Sequence, residues 1–170
     1  VLASQDAAIQ AAAAARNDTE LARLLNSPST FSVWRIDVPS TELVGAIKLA
    51  SFTPVDAPAD TLLDNNRCAL CELKQNNIRL LLARDVITAQ KLSTRQDLTD
   101  ALTNVPAGVG GAAIDAGWLG AGKVKATITR IATVAERAFA TGTGTAGVPG
   151  DLGWEGRVSI SDIGDMWNEG

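Results

Sequence analysis

The chain contains no histidine and no tyrosine among its 170 residues. Without imidazole there are no Ser-His-Asp or Cys-His nucleophile arrangements, no histidine acid–base catalysis and no histidine metal sites. Aspartate, glutamate and lysine remain, but no cluster of them stands out from solvated helix faces. No enzyme, no catalytic residue, no cofactor and no metal site is therefore expected. Cysteine is scarce: Cys68 and Cys71 are the whole complement. They sit in a helical pattern with no second ligand pair, so zinc would be two ligands short, and they read as small apolar side chains on one helix face. A reducing compartment would keep both as thiols. Aromatic residues make up only 4 %. The large side chains that stand out are Trp34, read as core, Trp154 and Trp167, read as interface or tail anchors, and Trp118.

An excess of cations is also missing. The formal charge is −4 and the pI about 4.8, which gives no net attraction for phosphate backbones and disfavours tight, sequence-specific nucleic-acid binding. No apolar run approaches the ~20 residues of a membrane span, and the run Ala11 to Ala15 lacks the basic leader of a signal peptide. A cytosolic or particle-bound protein with no membrane partner is the expectation.

What is present is ordinary globular material, 46 % apolar and 20 % charged, long enough for one core. Ser4 to Ala15 predicts an alanine-rich helix, and Asp18 a cap for a second run, Thr19 to Leu25, ended by Asn26, Ser27 and Pro28. Phe31 to Ile36 reads as a short strand. Pro39 near a first turn then starts a helix over Leu43, Val44, Ile47 and Ala50, and Thr53 to Pro58 is a loop with two prolines. From Ala59 to about Arg84 apolar residues recur at three and four without Gly or Pro, predicting a long central helix. Ser93 and Gln96 form a capping-box pattern before Leu98, Ala101, Leu102 and Val105. Pro106 to Gly122 carries six of the fifteen glycines and predicts a long mobile loop. Lys123 to Ala140 predicts a helix with Gly142 past its cap, and Thr141 to Gly153 an extended or disordered linker. After it, Arg157 to Ile160 reads as a strand and Ser161 as the cap of a final short helix.

These elements give a mainly α fold: a helical bundle with a long central helix, a small two-stranded β element and an extended C-terminal tail. The domain division is a helical core over residues 1–146 and a docking tail over 147–170. Trp154, Val158, Ile160, Ile163, Met166 and Trp167 gather large apolar groups behind a glycine linker, a way to reach a neighbouring subunit. The alternative is that the tail folds back and pairs its strand with Phe31 to Ile36.

Two glycine motifs fail on context. Gly117 to Lys123 matches GxxxxGK, but Val124 stands where a hydroxyl should ligate Mg²⁺, and Gly110 to Ala116 is a poor preceding strand. Gly142-Thr143-Gly144-Thr145-Ala146-Gly147 matches GxGxxG, yet it follows a predicted helix and runs into Val148-Pro149, so it reads as linker.

Two further stretches carry a resemblance. Leu25-Asn26-Ser27-Pro28-Ser29-Thr30-Phe31-Ser32-Val33-Trp34-Arg35-Ile36-Asp37-Val38-Pro39, continuing to Phe52-Thr53-Pro54, is the first. Ala132-Thr133-Val134-Ala135-Glu136-Arg137-Ala138-Phe139-Ala140-Thr141-Gly142-Thr143-Gly144-Thr145, then Trp154-Glu155-Gly156, is the second. With Lys74 to Asn77 and Val105 to Gly108 between them, the chain after about Ala22 resembles a family of virion-gene products of tailed bacteriophages and prophages, associated with the head-to-tail region. The longer alanine-rich beginning departs from that pattern.

The resemblance implies a non-catalytic virion component similar to the adaptors that ring the portal. It would form a dodecameric homo-oligomeric ring through heterologous contacts. Its partners would be the portal protein and the next neck or tail protein, with DNA passing through the channel without specific binding. The location implied is the virion, and the host cytoplasm during assembly. A tail-completion or terminator subunit is the rival within this class. From other classes, a nucleotide-binding packaging enzyme would use Gly117 to Lys123, and a DNA-binding regulator would show salt-sensitive retention on duplex DNA.

Overall fold

The structure is a computed structural model, and the residues it describes are 2–52, 62–106 and 123–168. The expected proline loop at 53–58, and the glycine loop with its GxxxxGK match up to Gly122, lie outside the described residues. In chain order the elements are α1 (Leu2–Ala14), α2 (Asp18–Leu25), β1 (Pro28–Trp34), β2 (Val38–Pro39), α3 (Ser40–Ala46), a 3₁₀ turn (Leu49–Phe52), α4 (Leu62–Leu82), β3 (Val86–Ile87) and α5 (Leu92–Leu102). They are followed by α6 (Lys123–Thr127), β4 (Thr129–Thr133), α7 (Val134–Ala138), β5 (Ala140–Thr141), β6 (Asp151–Leu152) and α8 (Ile160–Asn168). This is a helix-rich mixed fold whose strands pair as β1–β4, β2–β3 and β5–β6, each a two-stranded sheet.

The chain forms two compact units, Val1–Val33 with Ile131–Gly170, and Trp34–Arg130. The division expected between residues 146 and 147 does not coincide with this one, because residues 147–168 belong to the first unit.

In the second unit, α4 is the longest described helix, about 32 Å at 1.5 Å per residue. Its Cys71, Ile78 and Leu81 enter a continuous core with Leu43, Phe52, Ile87, Leu98, Leu102 and Val124. The Lys74 ammonium donates to the carbonyls of Asp100 at 2.5 Å and Thr103 at 2.8 Å. It thereby covers carbonyls that the end of α5 leaves unpaired. The Ser93–Gln96 capping box is not what starts α5. Lys91 is the N-cap, without a side-chain cap bond, because burial of Thr94, Leu98, Ala101 and Leu102 sets the helix phase and places Ser93 inside it. Pro39 precedes α3 as expected, and it also pairs with Val86 in the β2–β3 ladder, where Val38 faces Ile87. Trp34 is buried, and the Arg95 guanidinium lies 4.8 Å from its ring centroid.

The first unit has two small cores. One packs Ala12, Leu21, Ala22 and Ile163, flanked by Ile9, Leu25, Val158 and Trp167. The other packs Val33, Ala132 and Leu152 against Phe31 and Ala140. Asn17, not Asp18, caps α2, its side chain accepting from Glu20 N at 3.1 Å. The single helix expected over Lys123 to Ala140 is broken. Residues 127, 128, 129, 131 and 133 are all β-branched and favour a strand, and β4 pairs with β1. A capping box between Thr133 and Glu136 then opens α7.

Thr141 to Gly153 is not a free linker. β5 and β6 form an antiparallel pair with Ala140 opposite Leu152 and Thr141 opposite Asp151. The intervening loop bonds back to β1 through Ser32 N to Gly144 O at 2.7 Å and Gly150 N to Ser32 O at 2.8 Å. Glycine is required here: a Cβ on Gly144, whose φ is +63°, would stand 2.1 Å from the Phe31 ring, and one on Gly150 would stand 2.5 Å from it. The GxGxxG letters therefore form part of a clamp on Phe31, which is why they resist a nucleotide reading.

Candidate functional site

The six tail residues expected to bind a partner separate into two groups. Ile163 is fully buried, and Val158 and Trp167 pack beside it against α1 and α2. Two polar clasps fasten this face. The Asn26 side-chain amide donates to Val158 O at 2.7 Å and accepts from Val158 N at 3.0 Å, pairing with that backbone as a neighbouring strand would. The Trp167 indole N–H donates to Asp18 Oδ1 at 2.8 Å, and the Arg16 guanidinium lies 5.6 Å from the same ring. The tail is thus folded onto its own unit rather than extended. The strand expected at Arg157 to Ile160 is absent, its partner's place being taken by Asn26, and the pairing with Phe31 to Ile36 is made instead by Gly150 beside Val33. Ser159, not Ser161, caps the last helix: Asp162 N donates to Ser159 Oγ, and Ser159 N to Asp162 Oδ2.

Trp154, Ile160 and Met166 stay at the surface. Trp154 is 37 % exposed and meets Phe139, 61 % exposed, edge to face with centroids 5.9 Å apart and planes at 62°. The geometry of this pair is set from beneath. Gly153 N donates to Phe139 O at 3.0 Å. Gly156 lets the Trp154 ring lie over the backbone, since a Cβ there would fall 2.9 Å from it. The Glu136 carboxylate, 3 % exposed, accepts from Thr133 N at 2.9 Å and reaches Gly156 N at 3.4 Å. Two large aromatic rings therefore meet edge to face at the surface, on backbone held by these bonds. Phe139 was not among the expected contact residues, because the unbroken helical pattern drawn through it hid the turn that turns it outward.

The other candidates take structural roles. Val124, at the place a Mg²⁺-ligating hydroxyl would occupy, is fully buried in the second unit's core. Lys123 borders a shallow cleft of about 480 Å³ with Arg35, Glu42 and Thr127. There the Arg35 guanidinium already donates to Glu42 Oε2 at 2.8 Å and Thr127 O at 3.0 Å, and the Glu42 bond holds its pKa above the ordinary arginine value. Cys71 is buried with its thiol 3.6 Å from Pro106 O, and Cys68 is half-buried. Among the described residues no group of three or more Cys, Asp or Glu could hold a metal ion, and no helix is long and apolar enough to cross a membrane. Comparison with models of known families, with characterised proteins and with solved structures finds no match to this chain.

Proposed function

We propose that this chain is a non-catalytic structural subunit of a tailed-phage particle: a head-to-tail connector of the adaptor kind that forms a ring, binds the portal protein, and lets DNA pass without specific contact. The observation that carries the binding surface is the Phe139–Trp154 pair, two exposed aromatic rings in edge-to-face contact, the kind of residue that dominates protein interfaces. Ile160 and Met166 extend the apolar surface of the same C-terminal segment. Val158, Ile163 and Trp167 serve instead to anchor that segment to α1 and α2, so docking through the surface group needs no unfolding of the tail. The resemblance to head-to-tail virion products supplies the setting, and the lack of histidine agrees with a role in assembly.

The test is immunogold electron microscopy of purified virions from the phage or prophage that encodes the chain, paired with binding of the full chain to purified portal. Gold at the head–tail joint, and portal affinity falling at least tenfold on Phe139→Ala or Trp154→Ala, are the expected results. Gold at the far end of the neck would assign a tail-completion subunit. Its absence from particles, confirmed by mass spectrometry, would end the virion reading.

A further inference from the structure

We propose that the seat formed by α1 and α2 takes the α8 of a second copy of this chain in exchange for its own, so that two copies trade these segments about a two-fold axis. What fits the seat is shown by what fills it. Ile163 is buried among Ala12, Leu21 and Ala22. Trp167 donates to Asp18, with the Arg16 guanidinium over the same ring, and Asn26 engages both the N–H and the carbonyl of Val158. These contacts are the same whichever copy supplies the segment. Exchange therefore leaves no new group to satisfy, and its cost is that of bringing two copies together.

Residues 157–168 form one separable piece. The Ser159 cap and its Asp162 partner both lie inside it and travel with the helix. Among the described residues, three hydrogen bonds tie the piece to the rest of its unit, two between Asn26 and Val158 and one from Trp167 to Asp18. Of the nine residues of α8 only Ile163 is buried, and a helix this short does not persist in water without a partner. Gly164 weakens it further. A glycine inside a helix gives up more backbone freedom than any other residue, and a Cβ at this position would meet nothing within 4 Å, so no neighbour requires it. Segments with so few buried contacts open at a free energy below that of global unfolding.

The pivot falls at Gly156 and Arg157. Up to Gly156 the chain is held, with Gly153 N on Phe139 O and Gly156 N at the Glu136 carboxylate. Arg157 is exposed and has no partner among the described residues. Phe139 and Trp154 lie before the pivot and keep their contact in either form, so the exchange does not rest on the portal reading. Beyond it, three extended residues and a nine-residue helix reach about 24 Å, which sets how near the second copy's seat must come. A copy's own segment competes from its tether at an effective concentration on the order of millimolar. Exchange is therefore scarce in dilute solution and grows as the chain approaches that concentration.

Sedimentation velocity on the full chain and two full-length variants, up to about 1 mM, tests it. Ile163→Asp leaves a seat without a usable segment. Asp18→Ala with Asn26→Asp leaves a usable segment without its ties, since a carboxylate at position 26 cannot donate to Val158 O. Each variant alone should stay monomeric, and an equimolar mixture should form a 1:1 pair. The parent chain should show a reversible dimer fraction that rises toward the top of the range and is lost in Ile163→Asp. Ile163→Ala takes its place should the aspartate variant lose its circular-dichroism melt. No pairing in the mixture with both variants folded, or a parent chain monomeric throughout, overturns the proposal. Parent dimers that persist in Ile163→Asp use a contact other than α8 and overturn it equally. Larger oligomers lost in that variant would mean segments passed head to tail and overturn the two-fold form.

Discussion

The two units of this chain are stabilised in different ways. In the second, seventeen buried residues among those described form one cluster, from Trp34 through Ile128. In the first, the buried residues divide into clusters of four and three, and directed polar contacts bind the pieces: Asn26 on Val158, Asp18 on Trp167, Glu136 on Thr133 and Gly156, and a glycine loop on Phe31. One broad core gains most of its stability from area removed from water. Small cores gain less, and their hydrogen bonds contribute a modest net amount while making the geometry specific. Phe139 and Trp154 meet in the unit of the second kind of construction.

The largest effects should come from matched truncations, one in each unit. Leu98→Ala and Ile163→Ala each empty a fully buried site and should each cost about 2–5 kcal/mol. The reach of the damage should differ. In hydrogen exchange, Leu98→Ala should deprotect the whole of α4 and α5, whereas Ile163→Ala should deprotect α8 and α2 and leave α4 as in the parent. Deprotection of α4 by Ile163→Ala would show that the chain opens as one cooperative body, and the contrast between the units would fail.

Next in size is a glycine pair within one loop. Gly144→Ala meets both the Phe31 ring and a left-handed backbone, and should cost about 2–4 kcal/mol from strain and overpacking together. Gly147→Ala meets nothing closer than Thr145 Oγ1 at 3.8 Å and should leave the thermal midpoint within about 1 °C, as surface changes do. Equal midpoints for the two variants would return this segment to the status of a linker. A smaller loss is expected for Asn26→Ala, about 1–3 kcal/mol, since it strands the N–H and carbonyl of Val158. Faster exchange at the Val158 amide is the specific readout.

The difference between the units also explains what could be read from the amino-acid sequence. Alanine content located α1, a capped run α2, and regular apolar spacing α3, α4 and α5, each to within a few residues. From Lys123 onward the reading failed repeatedly for one reason: the structure there depends on pairings distant in sequence. Ile128, Ile131 and Val134 fit a helical stripe, and only the presence of β1 as a partner makes β4 the better use of those β-branched residues. The glycines of 142–150 look like a linker until Phe31, more than a hundred residues earlier, is seen to need them. The tail residues were read as residues that bind a partner, but hydrophobicity does not say whether contact is with self or partner. Val158, Ile163 and Trp167 turned inward because Asn26, Asp18 and Leu21 provide a seat for them. Phe139 could have been found by asking what packs on Trp154.

The smallest effect tests whether the polar devices of the first unit act where the structure places them. The Asp162 carboxylate accepts from Ser159 N at 2.7 Å, and Ser159 Oγ accepts from Asp162 N at 3.1 Å. Donation from the Ser159 backbone, then from its side chain, holds the Asp162 pKa below the ordinary aspartate value of 3.8. A group whose folded pKa lies below its unfolded value binds fewer protons when folded, so its stabilisation is complete above pH 3.8 and is lost as pH falls through the lower, folded value. Because the carboxylate is exposed, water screens the effect, and it should be seen as fraying of α8 rather than as global unfolding. Amide exchange of residues 160–163 should therefore rise, beyond the intrinsic pH trend, as acid protonates Asp162. Asp162→Asn should abolish that excess, while leaving intact the same unit's other acid-sensitive pair, Glu20 lowered by Arg23. An excess that survives in Asp162→Asn would place the acid sensitivity elsewhere in the first unit and remove the Ser159 cap from the set of contacts that orient the C-terminal segment.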